Sequence, residues 1–286
     1  MKAVLAQIAP ALGDVDRNLA THLAEIRRAA RAKADLIVFP ELSLTGYLLQ
    51  DLTAESAQDP ARSVPLRRLA EASRTIGVVA GYVERSPALL HHNAAGAWLD
   101  GRLAHVHRKV YLPTYGMFDE GRYFAAGEMF RTFQAPWGRT GLLICEDFWH
   151  LSSSYLLSQE GMEVLVVISA SPIKGLDAAR HPSSVEAWIQ LGQVVARFLS
   201  CFVLYVNRAG YEDGWSYGGG SFAVDPSGKV LARAGLLRPE TLTVTLDPPR
   251  LSKARTAAPI LRDEKLDLVR RELDRIAAAR YGAAAG

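Results

Sequence analysis

The chain opens on an apolar run, KAVLAQI, that predicts a strand, and then switches to a helical period. Leu19, Leu23, Ile26 and Ala30 share one face of a helix expected from a cap at Asp14 or Asp16 through Ala34. Continuous apolar segments read as buried strands at DLIVF, at GVVAGYV (77–83) and at EVLVVIS (163–169). Helical patterns return at 65–76, 151–159 and 182–199, the last with Pro182 in its first turn. Asp100-Gly101, between NAAGAWLD and RLAHVHR, is a strong hairpin signal, and Trp137-Gly138 is expected to turn a second pair, 130–136 and 140–145. CFVLYVN, GGSFAVD, KVLARA and TLTVTL (241–246) complete the strands, with DPSG (225–228) turning two of them. Residues 263–280 predict an amphipathic C-terminal helix, and the closing GAAAG reads as frayed. Alternating strands and helices with hairpins predict an α/β chain of mixed sheets covered by helices. Neither an internal repeat nor a low-complexity linker is visible.

Composition narrows the class. Hydrophobic residues make up 49% of the 286 positions and charged ones 22%, values of a globular chain with ample core. A net charge of +3 is too small to imply nucleic acid or a polybasic membrane surface. Arg27, Arg28 and Arg31 fall on a helical pattern and read as a solvated face. The first strand follows Met1-Lys2 directly and no apolar run reaches membrane length, so no secretory signal and no membrane contact are expected. Two cysteines suit a reducing compartment, and a cytoplasmic location is expected. The histidines show no zinc-type spacing. His91, His92, His105 and His107 read as loop or strand-face residues, and neither metal nor cofactor is expected.

Candidate chemistry sits in three segments. In GLLICEDFW (141–149) an apolar run ends in Cys145, followed at once by Glu146 and Asp147. Free cysteine is usually a small buried hydrophobe, and Cys201, inside FLSCFVLYV, keeps that reading. Cys145, at a strand end, reads as a nucleophile that needs a base and an oxyanion donor. In LIVFPELSLTGY (36–47) the strand stops at Pro40 and Glu41 follows, where partial burial raises a carboxylate toward a general base. In HVHRKVYLPTYGMFDEGRYF (105–124) Lys109 follows an alternating strand and precedes a loop dense in aromatic residues. Lysine is scarce in this arginine-rich chain, which marks Lys109 as a position where a compact ammonium matters. Glu146 and Asp147 read as structural acids that hold the turn and nearby basic groups. Tyr123, Trp149 and Trp215 read as core or rim.

Taken in order, FPE (39–41), HRKVYLP (107–113) and GLLICED (141–147) resemble the nitrilase superfamily of carbon–nitrogen hydrolases, over most of the chain from KAVLAQIAP to residue 231. The resemblance implies a four-layer α-β-β-α sandwich over residues 1–248, with 249–286 as a C-terminal extension carrying the tail helix. It implies catalytic Glu41, Lys109 and Cys145, with Glu120 as the second glutamate that holds the lysine and positions substrate. Within the superfamily, LPTYGMFDEGRYF and ICEDFW look most like the glutaminase domain of glutamine-dependent NAD synthetases. That likeness adds Tyr47, Tyr115 and Phe118 as walls of the amide pocket, and Ser171 of the Ser-Pro pair, beside Glu146, as substrate-binding positions. Two departures stand out. No SGGxDS-type pyrophosphate loop is present, and the basic residue expected after Ser171-Pro172 falls on Asp177, with Lys174 and Arg180 nearby. The leading expectation is therefore an amidase releasing ammonia from a small carboxamide through a cysteine thioester. The alternatives are a glutaminase subunit feeding a separately encoded synthetase partner, a nitrilase or carbamoyl-amine hydrolase, or a catalytically silent regulatory protein. A homodimer or larger homo-oligomer is implied, with the tail helix as one candidate contact.

Overall fold

The computed structural model describes residues 1–173 and 183–282. In chain order its strands are β1 (Lys2–Gln7), β2 (Leu36–Val38), β3 (Gly77–Arg85), β4 (His91–Leu99), β5 (Arg102–Arg108), β6 (Thr132–Ala135) and β7 (Gly138–Ile144). Then follow β8 (Val164–Ser169), β9 (Phe202–Asn207), β10 (Ala209–Glu212), β11 (Trp215–Gly218), β12 (Phe222–Val224), β13 (Val230–Arg233) and β14 (Glu240–Thr245). One six-stranded sheet has the order β14-β1-β2-β3-β4-β5, the other β13-β12-β9-β8-β7-β6, and β10 pairs only with β11.

Period-two alternation sorts the layers. Ala3, Leu5, Leu36, Val38 and Val79 enter an apolar layer shared with strands of the second sheet. Their neighbours Val4, Ala6, Ile37, Val78 and Ala80 pack instead on Leu19, Leu23 and Ile26 of the helix Val15–Arg31 and on Leu66 and Leu69 of the helix Val64–Ala72. Leu157 from the helix Leu151–Gln159 and Val185, Trp188 and Ile189 from the helix Ser183–Phe198 cover the second sheet. The result is the α-β-β-α sandwich. Central strands buried on both faces explain why they read as continuous apolar runs.

Both sheets follow one path. Strand, helix, strand, helix and strand make three parallel neighbours (β1, β2, β3 and β7, β8, β9), and antiparallel strands then extend each sheet. No sequence repeat announces this, because the two halves share backbone direction and not side chains.

Several boundaries move for local reasons. Asp14 is the cap, its Oδ1 accepting from Arg17 N at 3.0 Å. The helix stops at Arg31 rather than at 34, and Lys33 takes a left-handed φ of 56°. The turn before β7 lies at 136–137, and Gly138 already pairs with Ala135. The strand expected from GGSFAVD begins only at Phe222, since Gly219 and Gly220 sit at φ 63° and 69°, outside the extended region. The tail forms three helices, Pro248–Ala257, Ile260–Asp263 and Leu266–Tyr281, and the last buries none of its residues. Pro182 and residues 283–286 lie outside the described residues. Among the described residues no helix is long and apolar enough to cross a membrane.

One close approach sets the Glu41 loop. A Cβ on Gly81 of β3 would stand 2.3 Å from Leu42 N and 2.7 Å from Pro40 O. Gly81 N donates to Pro40 O at 3.2 Å, and Gly81 O accepts from Leu44 N at 3.0 Å. Gly81→Ala must push the 40–42 loop outward, costing about 3 kcal/mol by the overpacking scale. A urea melt of the purified variant should show the midpoint falling. A wild-type midpoint would contradict the close approach.

Candidate active site

Strand β7 ends at Ile144, and Cys145 takes a φ of 46° as it opens the 3-10 turn Cys145–Trp149. A left-handed non-glycine residue carries a conformational cost of about 1 kcal/mol or more, so its surroundings must hold it. Asp147 does much of the holding. Its Oδ2 accepts from Ile144 N at 3.1 Å and from His107 Nε2 at 2.8 Å. Its Oδ1 accepts from Val110 N and Tyr111 N, both at 3.0 Å. One buried carboxylate thus ties the Cys145 turn to the segment that carries Lys109. That is the structural part expected of Asp147.

Glu41 lies just beyond β2, in the loop that Gly81 admits. Its Oε1 accepts from Asn93 Nδ2 at 2.7 Å and from Lys109 Nζ at 2.8 Å. Its Oε2 accepts from Ala170 N at 2.7 Å. Lys109 Nζ also donates to Glu120 Oε1 at 2.6 Å, and the Tyr47 hydroxyl donates to that same oxygen. Ser169 Oγ donates to Cys145 Sγ at 3.2 Å. The exit of β8, Ser169-Ala170, therefore touches both Cys145 and Glu41. The carboxyl ends of parallel strands are where open α/β sheets place their ligands.

Electrostatics follow from burial. Dehydration works against the Lys109 charge, but Glu120 and Glu41 outweigh it and hold the ammonium well above the usual lysine range. Burial pushes the Glu120 carboxyl up to about 7, with Lys109 opposing the rise and Glu41 adding to it. For Cys145, burial and then the Glu41 charge push the thiol far above its usual range, while Lys109 and Ser169 pull it down. Cys145 therefore rests as a protonated thiol.

A cavity of about 530 Å³ opens beside this set, lined by Tyr47, Phe118, Glu120, Tyr123 and Trp215 among others. Its lining reaches Glu120 but not Cys145, Glu41 or Lys109, which stay buried behind it. Phe118 stands edge-on to Trp215, with ring centres 5.6 Å apart. Tyr115 is exposed, and its hydroxyl donates to both Glu146 carboxylate oxygens at 3.0 Å. Ser171 Oγ accepts from Trp188 Nε1 at 2.9 Å and its N–H donates to Asn207 Oδ1 at 2.8 Å, and the residue is not part of this cavity's lining. Trp149 packs against Trp188 instead. Lys174, Asp177 and Arg180 lie outside the described residues. Among the described residues no group of three or more His, Cys, Asp or Glu is placed to hold a metal ion.

Sequence reasoning missed Asn93, Ser169 and the Arg208–Glu212 pair. Asn93 is a fully buried amide near the start of β4, immediately before the apolar run 94–99, which is a readable signal. Glu212 accepts from Tyr47 N at 2.9 Å and Leu48 N at 2.8 Å, and from Arg208, so the β10–β11 hairpin fixes the Tyr47 loop. Nothing local to Glu212 points to partners so distant in sequence.

Comparison with known proteins agrees with this geometry. The carbon–nitrogen hydrolase family matches residues 2–256, and the chain belongs to that family. An (R)-stereoselective amidase from Pseudomonas sp. is 33% identical over 277 residues, covering 94% of this chain and 93% of that protein. A glutamine-dependent NAD(+) synthetase from Acinetobacter baylyi is 30% identical over 239 residues, or 84% of this chain. The chain spans only 43% of that synthetase's length. The crystal structure of a carbon–nitrogen hydrolase from Helicobacter pylori superposes with a TM-score of 0.82 at 24% identity, over 96% of this chain and 99% of that one, which shows the shared fold.

The raised Glu120 carboxyl has a consequence for stability. The folded protein takes up this proton near pH 7, the unfolded chain near 4.5, so the contribution is full below 4.5 and lost as pH rises through 7. Comparing wild type with Glu120→Gln in urea melts should show the wild-type advantage growing, by up to a few kcal/mol, as pH is lowered from about 8 to 5. A pH-independent difference would mean that Glu120 is an ordinary carboxylate.

Proposed function

We propose that this protein is an amidase that releases ammonia from a small carboxamide through a Cys145 thioester. The observation that carries the reading is the buried Glu41–Lys109–Glu120 set, hydrogen-bonded at 2.8 and 2.6 Å behind a cysteine presented on a left-handed turn. Glu41 takes the thiol proton as Sγ attacks the carbonyl carbon. Lys109 and the backbone N–H of Glu146 donate to the oxygen that becomes negative. As the C–N bond breaks, Glu41 returns the proton to the leaving nitrogen and ammonia departs. Water, deprotonated by Glu41, then splits the thioester to give the carboxylic acid and the free thiol. Glu120 keeps Lys109 charged and aimed, with Tyr47 steadying Glu120. Asn93 and Ala170 N occupy both Glu41 oxygens and orient the base. The likeness to an amidase of nearly the same length supports this reading over a synthetase-bound one.

The glutaminase-subunit reading has one observation in its favour. Tyr47 and Phe118, positions carried by the synthetase likeness, do line the cavity beside Glu120. A reducing, cytoplasmic setting fits a reaction that needs Cys145 as a free thiol, the form both cysteines take here.

Ammonia release should be measured against short aliphatic amides, glutamine, carbamoyl amines and nitriles. Turnover of simple amides is expected, with Cys145→Ala inactive at an unchanged melting temperature. Lys109→Met should lose about a hundredfold or more in kcat. Full activity in Cys145→Ala would remove the scheme, and turnover of glutamine alone would move the assignment to the glutaminase reading.

A further inference from the structure

The cavity in front of Glu120 carries charges that the catalytic scheme does not use. Asp51, Asp119 and Asp213 line it, from the turn Gln50–Leu52, the cap of the helix Glu120–Tyr123 and the tip of the β10–β11 hairpin. No hydrogen bond or ion pair joins any of these three carboxyl groups to another side chain among the described residues. Arg122 is the one cationic side chain in the described lining, and its guanidinium lies over the Tyr123 ring, 5.5 Å from the centroid. The lining also includes the aromatic side chains of Phe118, Tyr123 and Trp215. At the inner end, Glu120 Oε2 is buried without a hydrogen-bond partner.

Carboxylates gathered with aromatic side chains suit an organic ammonium. A cleft lined mainly by one sign of charge raises the local concentration of the opposite sign and repels its own. Resting on the amidase reading, we propose that the substrate's acyl portion carries a protonated amine and no carboxylate, directed toward the Asp51–Asp119–Asp213 rim. The substrate class is then the amino-amides, and a free amino-acid carboxylate, as in glutamine, meets repulsion.

The test uses three amides of matched length: 4-aminobutanamide, pentanamide and succinamate. Specificity constants are measured with the wild type, and equilibrium binding by calorimetry with Cys145→Ala. The cationic amide should exceed the neutral one by about tenfold in both, with the anionic one weakest. The advantage should shrink as salt is raised, and the cationic-to-neutral ratio should fall toward one in Asp213→Asn and Asp51→Asn. Equal binding of the three, a preference for succinamate, or no binding of the cationic amide overturns the inference. If the wild type hydrolyses no amide, the amidase reading falls while the binding order on Cys145→Ala still decides the rim.

Discussion

The ammonium of Lys109 is the interaction on which the rest of the structure turns. It sits fully buried between two carboxylates, one on the loop after β2 and one in the aromatic loop after β5. A charge in that position is tolerable only if it is paired at short range and water is kept out, and removing one partner of such a group is expected to cost about 3–5 kcal/mol. The sandwich supplies both conditions. Glu41 is reached from the first sheet, its far oxygen is bonded by Ala170 at the exit of the second, and Glu120 is steadied by Tyr47. The cluster is a clasp between the halves of the fold and, in the proposed scheme, the electrostatic centre of an acyl transfer.

Under the proposed scheme, the same arrangement lets Cys145 rest safely as a thiol. Burial and the Glu41 charge keep the thiol protonated, so it is shielded from the oxidation that low-pKa, exposed thiols invite. Reactivity then depends on a substrate entering, displacing water and giving the proton somewhere to go. Glu41, Lys109 and the left-handed Cys145 turn belong to different parts of the chain, and Asp147 links two of them through four hydrogen bonds.

Much of this was legible in the order of residues. Glu41 and Cys145 each stand where an apolar strand gives way to polar chemistry, and Lys109 directly follows an alternating strand. Asp14 marks a helix start by its side-chain cap. What stayed hidden depends on distance along the chain. The β10–β11 hairpin is too short for its alternation to register, and Glu212 acquires meaning only from Tyr47 and Leu48, more than 160 positions away. The Ser171 hydroxyl accepts from Trp188, a contact no pattern announces. The repeated path of the two sheets was equally silent, since topology is written in backbone direction.

The apolar layer between the sheets has a further consequence. Glu41 and Lys109 are carried by one sheet and Cys145, Ser169 and Ala170 by the other, so the thickness of that layer is the ruler that spaces Glu41 from Cys145. Sheets packed face to face stand about 10 Å apart, and the side-chain volumes between them set that value. The 2.7 Å contact from Ala170 to Glu41 leaves little slack. Methyl groups at Leu5, Val38 or Val167, remote from any substrate, therefore act as shims whose sizes calibrate the reaction.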